Sequence, residues 1–129
     1  MKANLYEIET TEEFDKQAIY FLKKKRYFSL TKQIEQIRDK FAKGKFEGEL
    51  IKRGEGLNPP HNVYKLRLAN PDANVGKSGG YRVYYLVATL YKIVVLLCIY
   101  SKKEYADMPE IYISDLIDGC LLEIADEGY

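Results

Sequence analysis

Seven consecutive apolar residues, Ile93–Ile99 (IVVLLCI), constrain the fold more than any other stretch of the chain. The run falls well short of the roughly 18 apolar residues that a membrane helix needs. Its β-branched content and lack of alternation describe a strand buried on both faces at the centre of a sheet. The segments before it agree. Val63–Ala69 and Gly80–Thr89 read as two further strands, and Leu90 and Tyr91 form a tight connection to the last strand, Lys92–Tyr100. Asn70–Gly79 (NPDANVGKSG) is a polar loop between the first two.

The rest of the chain reads as support for these strands. Asn4–Glu9 alternates polar and apolar residues and suits a short edge strand. Thr10 or Thr11 caps a helix whose first turn carries Glu12 and Glu13, placed well for the positive end of the helix dipole. Phe14, Ala18, Phe21 and Leu22 share one face of it, and Lys23–Arg26 close it. Ser29 is expected to cap a second helix with the stripe Leu30, Ile34, Ile37 and Phe41, stopped at Gly44. The two should form a hairpin with both apolar faces on one side of a sheet. Glu49–Arg53 reads as a strand ended by Gly54 and Gly56, and Asn58–His61 is expected to be loop. Pro109 opens a last helix with Ile113, Leu116, Ile117, Cys120, Leu121 and Ile124 on a broad stripe.

The expected class is therefore α+β: an N-terminal strand and a helical hairpin packed on a mainly antiparallel sheet of about four to five strands, with a C-terminal helix. The 129 residues suit one domain. MKANLYEIET has no apolar core of a signal peptide, and the two cysteines, Cys98 and Cys120, lie in apolar stretches. Buried free thiols and a cytoplasmic protein, with no membrane partner, are the expectation.

A net charge of +1 conceals strong segregation. Residues 23–103 hold 18 Lys/Arg against six carboxylates, whereas residues 104–129 hold eight carboxylates and no cation. A middle of net +12 attracts nucleic acid in a way that the average does not.

Several chemistries are excluded by residue type and spacing. Gly76-Lys77-Ser78 imitates a phosphate loop, but Pro71 stands where that motif needs its first glycine, and a strand follows where it needs a helix. His61 is the only histidine and neither cysteine has ligand spacing, so no metal is expected. What remains is cations and tyrosines. Alternation puts Lys65 and Arg67 on one face of their strand, with Tyr64, Leu66 and Leu68 on the other. Arg82 and Tyr84 share a face of the next strand, Lys77 lies in the loop before it, and Lys102 and Lys103 follow the apolar strand. Antiparallel neighbours would gather four or five cations on an open face beside tyrosines, suited to RNA phosphates and a stacked base.

YKLRLA, GKSGGYRVYYLV and IYSKKE, preceded by two helices and followed by one, together resemble the RelE/ParE superfamily of toxin–antitoxin toxins. The likeness is nearest to the RelE/HigB-like branch, whose members often carry GK-x-GG-x-R-x-x-Y and a Y-x-K-x-E ending. It covers Val63–Glu104. The resemblance implies a RelE-like microbial-RNase-type fold and a ribosome-dependent endoribonuclease, an mRNA interferase that arrests translation. It implies mRNA, the ribosome and a cognate antitoxin as partners, and no cofactor. The family's paired basic residues match Lys65 and Arg67, and its arginine matches Arg82. Its basic residue after the last strand matches Lys103, with Lys102 as the alternative. Its stacking tyrosine matches Tyr105 or Tyr112. A ParE-like inhibitor of DNA gyrase, or a non-catalytic nucleic-acid or antitoxin-binding module, would use the same fold.

The chemistry also follows from residue types. RNA cleavage by its own 2′-hydroxyl needs a base, a stabiliser of phosphorane charge and an acid for the 5′-oxygen. With one histidine, a lysine crowded by other cations is the expected base. Arg82, a planar fork, is the expected phosphate stabiliser, with Gly79 and Gly80 leaving room for a phosphate. A purely structural Arg82 would instead need a carboxylate such as Glu104 or Asp107.

Overall fold

Strand pairing across the apolar run decides the architecture. The computed structural model describes residues 5–54 and 56–127. The elements in chain order are β1 (Glu7–Thr10), α1 (Glu12–Lys23), α2 (Ser29–Ala42), β2 (Glu49–Gly54), β3 (His61–Leu68), β4 (Tyr81–Ala88), β5 (Ile93–Ser101) and α3 (Glu110–Asp126). They make an α+β protein with a mixed five-stranded sheet in the order β1-β5-β4-β3-β2. Only β1 runs parallel to its neighbour β5; the other pairings are antiparallel. The apolar run is thus the second strand, and β4 takes the centre. Asn4, expected in the first strand, lies outside the described residues.

β4 and β5 are buried along their whole length, on both faces. One face carries Tyr81, Val83, Tyr85, Val87, Val94, Leu96 and Ile99, covered by the α1–α2 hairpin through Phe14, Phe21, Leu30, Ile37 and Phe41. The opposite face carries Tyr84, Leu86, Val95, Leu97, Cys98 and Tyr100, covered by Ile113, Ile117, Cys120 and Ile124 of α3. The expected stripe of α3 is accordingly narrower, because Leu116 and Leu121 are only partly buried at its flanks.

A bulge breaks the β4–β5 ladder: Tyr84 pairs with Cys98, yet Tyr85 pairs with Leu96, leaving Leu97 as an extra residue. Leu97 and Cys98 therefore face the same side, and Tyr100 joins them under α3.

The helix ends explain where the hairpin sits. Thr11 Oγ1 accepts from the Phe14 N–H at 3.0 Å and donates to the Leu97 carbonyl at 2.7 Å, so one hydroxyl caps α1 and ties it to β5. Gly44, at φ 79°, ends the α2 region in the left-handed conformation expected of a helix stop. Ser29 does not cap α2. Phe28 holds the cap position, and the Ser29 N–H and hydroxyl both donate to the Asp72 carboxylate in the β3–β4 loop. A carboxylate from 43 residues away satisfies the helix start better than a local hydroxyl, since its charge also complements the dipole. His61 likewise is not loop: it opens β3, paired with Gly54. Among the described residues no helix is long and apolar enough to cross a membrane.

Ile117 is 5% exposed and Leu116 lies at the edge of the same interface. Ile117→Ala should cost about 2–5 kcal/mol by opening a cavity under α3, and Leu116→Ala clearly less. Equal losses in chemical denaturation would contradict this placement of the helix.

Candidate functional site

The antiparallel ladder brings the expected strand cations together. Lys65 pairs with Tyr84 and Arg67 with Arg82, while Arg82 pairs on its other side with Tyr100. Lys65, Arg67, Arg82, Tyr84 and Tyr100 therefore share the face on which α3 packs. Their environments differ sharply.

Arg67 is exposed, and with Lys65 and the exposed Lys77 it lines a groove of about 330 Å³. Glu47 and Glu49 line the same groove, so the face is not uniformly positive. Glu49 is the cross-strand partner of Lys65, and Glu47 is held by Lys40 at 2.9 Å.

Arg82 corrects the expectation of an open phosphate ligand. It is 4% exposed, and its guanidinium donates to the carbonyls of Lys77 (2.9 Å), Ser78 (2.8 Å) and Tyr81 (3.1 Å). Neither Glu104 nor Asp107 pairs with it. Carbonyl dipoles of its own loop compensate the buried charge. A like charge directly opposite is unfavourable, and this agrees with Arg67 pointing to solvent while Arg82 turns into the loop. Gly80 belongs to the same construction. A Cβ there would overlap the Leu68 carbonyl, so the glycine admits the β3 backbone and not a phosphate.

Tyr84 is also not a free stacking surface. It is 5% exposed, stacks on Tyr100 with centroids 6.2 Å apart, and has Lys65 Nζ 5.8 Å from its ring centre. Its hydroxyl points to Asp107, a residue in the loop between β5 and α3. Asp107 Oδ1 accepts from Tyr100 Oη at 2.8 Å, Lys65 Nζ at 3.3 Å, Tyr84 Oη at 3.4 Å and its neighbour Met108 N at 3.1 Å. These contacts, the Tyr100 bond foremost, hold the Asp107 carboxyl below its ordinary range, whereas burial pushes the Tyr84 and Tyr100 hydroxyls up. Lys65 is not crowded by cations alone, and the premise for a lysine base there falls away.

The remaining candidates follow the end of β5. Lys102 Nζ donates to the Ala106 carbonyl and helps close the β5–α3 loop, whereas Lys103 is exposed and has no side-chain partner among the described residues. Tyr105 and Tyr112 do not reach the cationic groove. Both line a separate cavity of about 490 Å³ between α1, the end of β5 and α3, where Gln17 Nε2 donates to Tyr112 Oη at 3.1 Å. Tyr105 is exposed and Tyr112 half-buried. Tyr100 and Met108 stand at this cavity, and Met108 also borders the groove around Lys65.

Other chemistry is poorly supplied. His61 is buried with Nδ1 2.8 Å from the Pro59 carbonyl, at the opposite end of β3 from Arg67. Burial pushes the Cys98 and Cys120 thiols up to about 12, which leaves them unreactive near neutrality. Among the described residues no three His, Cys, Asp or Glu side chains gather as metal ligands. Sequence reading offered Asp107 only as a partner for Arg82 and passed over Tyr100 altogether. No protein-family model matches the chain, and no curated protein matches it.

Arg82→Ala should destabilise the fold by about 2–4 kcal/mol, because it leaves carbonyls of the β3–β4 loop without their donor. An unchanged thermal midpoint would show that the loop holds itself. For Asp107 the sign follows from a folded pKa below the unfolded one. Its ionised form stabilises the fold above the ordinary carboxyl range, and that contribution is lost as pH falls through the folded value. The stability gap between wild type and Asp107→Asn should therefore shrink on acidification below about pH 4. A gap constant from neutral to acid pH would remove the charge from the account.

Proposed function

We propose that this chain is a RelE-like toxin whose basic sheet face binds mRNA on the ribosome and promotes its cleavage, with a cognate antitoxin as its neutraliser. The observation that carries the reading is the pair Lys65 and Arg67, side by side in register on β3, where they line a groove with Lys77 beyond the cover of α3. Lys103 lies past the end of β5, the position that the resemblance to the RelE/HigB-like branch gives to a basic residue.

Arg67 is the exposed fork for a phosphate oxygen, the role first expected of Arg82. Lys65, held over the Tyr84 ring, would donate a proton to the leaving 5′-oxygen or neutralise the phosphorane. Arg82 acts at one remove, by holding the loop that carries Lys77. Glu47 and Glu49 beside the cations disfavour indiscriminate binding of polyanion. A substrate strand shaped by the ribosome is a better fit to such a mixed groove than free RNA.

Purified protein should leave free mRNA largely intact and cut it when ribosomes are added. Lys65→Ala and Arg67→Ala should each slow that cleavage by about 100-fold or more, with the thermal midpoint nearly unchanged for Arg67→Ala and lowered for Lys65→Ala, which also removes a partner of Asp107. Wild-type rates in both variants would overturn the assignment. Block of DNA supercoiling without RNA cleavage would replace the nuclease reading with a gyrase inhibitor.

A further inference from the structure

We propose that Lys65 Nζ and the hydroxyls of Tyr84 and Tyr100 form a cradle for one oxygen of an RNA phosphodiester, and that the Asp107 carboxylate occupies it in the free protein. The identity of the phosphate rests on the RNA reading above; the cradle and its internal occupant rest on geometry alone.

Three donors from three adjacent strands converge on a single atom, Asp107 Oδ1, at 2.8, 3.3 and 3.4 Å. Two of them are hydroxyls of side chains almost wholly buried, Tyr84 at 5% and Tyr100 at 1% exposure. Buried hydroxyls require an acceptor, and with Lys65 beside them an anionic oxygen suits the cradle better than a neutral one. The donors are fixed in the sheet: the tyrosine rings stack, and Lys65 lies over one of them. The occupant is differently placed. Asp107 comes from the loop before α3, and its side chain is 63% exposed. A fixed set of donors with an exposed, loop-borne carboxylate is the geometry of a site whose anion exchanges.

Charge and space favour a phosphodiester as the replacement. Carboxylate and phosphate oxygens accept the same charge-assisted bonds. Lys65 lines both the groove shared with Arg67 and Lys77 and a second groove of about 470 Å³ at Asp107. A strand crossing from Arg67 to Lys65 meets the cradle at its end. Glu49 and Glu110 border the second groove with Lys52 as the one further cation, so its charge beyond the cradle is mixed and gives a second phosphate less support than the first. Asp107 then works as a gate on substrate entry: RNA must displace it, and a site closed by its own carboxylate discriminates against weakly held anions.

The test titrates inorganic phosphate and an uncleavable 2′-O-methyl RNA pentamer, at constant ionic strength, into the full chain. Wild type, Asp107→Ala, Asp107→Asn and the double variant Lys65→Ala/Asp107→Ala are followed through their tyrosine signals. Removing the carboxylate should tighten pentamer binding by about tenfold, the equivalent of one charge-assisted hydrogen bond. The double variant should lose that gain. Asp107→Asn keeps the side-chain shape and gives the answer if Asp107→Ala does not fold. Pentamer affinity unchanged in the folded Asp107 variants would overturn the proposal, as would a gain that survives loss of Lys65. Tightening for inorganic phosphate alone would overturn the diester assignment. Cleavage of ribosome-bound mRNA is scored separately. Tightened binding without any cleavage leaves the cradle standing and removes the nuclease reading, and cleavage with unchanged binding does the reverse.

Discussion

The pairing of β4 with β5 is the constraint on which the remaining structure depends. Both strands are apolar on both faces, so the sheet must be covered twice. The α1–α2 hairpin covers one face and the single helix α3 covers the other. One helix is narrower than five strands. Placed over β5, where its stripe finds Val95, Leu97 and Cys98, it shares a cluster with Val63 of β3 but leaves the far end of that strand, at Arg67, to solvent. Arg67 is exposed, and Lys65 half-buried, because of where α3 is compelled to lie.

Around that opening, charge is managed by internal partners in two different ways. Arg82 has its charge absorbed by backbone carbonyls and becomes part of the scaffold. Lys65 is matched by a carboxylate on a loop and stays at the surface of a groove. The two residues lie on neighbouring strands and differ in what the adjacent loops supply. The β3–β4 loop curls back so that its carbonyls point inward, whereas the β5–α3 loop delivers Asp107 from above. A sequence rich in cations need not present all of them, and here Arg82 and Lys102 both serve the chain's own loops.

Much of this was legible in the residues. The hairpin, α3 and the shared face of Lys65 and Arg67 follow from helical spacing and alternation, because burial of one face leaves a period in the sequence, and β5 follows from an apolar run without one, because both its faces are buried. Thr11 as a helix cap was legible for the same local reason. The failures all involve partners distant in sequence or backbone atoms. Ser29 looked like a cap until Asp72 took its donors. Arg82 looked open because its acceptors are carbonyls, which leave no trace in residue identity. Asp107 sits in a loop whose path no period fixes. Tyr105 and Tyr112 were candidates only through the family resemblance, whereas the fold carries them to the cavity against α1.

The extra residue in β5 has a meaning beyond local twist. Up to Leu97 the strand keeps one parity, with odd-numbered side chains toward α3; from Cys98 onward the even-numbered ones face it. The first half of the strand is thus written in the frame of the core and the second half in the frame of the groove. Because Val, Leu, Cys and Ile tolerate either side, the frame changes within the apolar run without a polar residue being turned inward. Tyr100 is the first side chain for which the change of frame matters, since its hydroxyl finds an acceptor only on the α3 side. A chain of the same composition, one residue shorter in this run, would build nearly the same sheet and turn that hydroxyl into the helical hairpin.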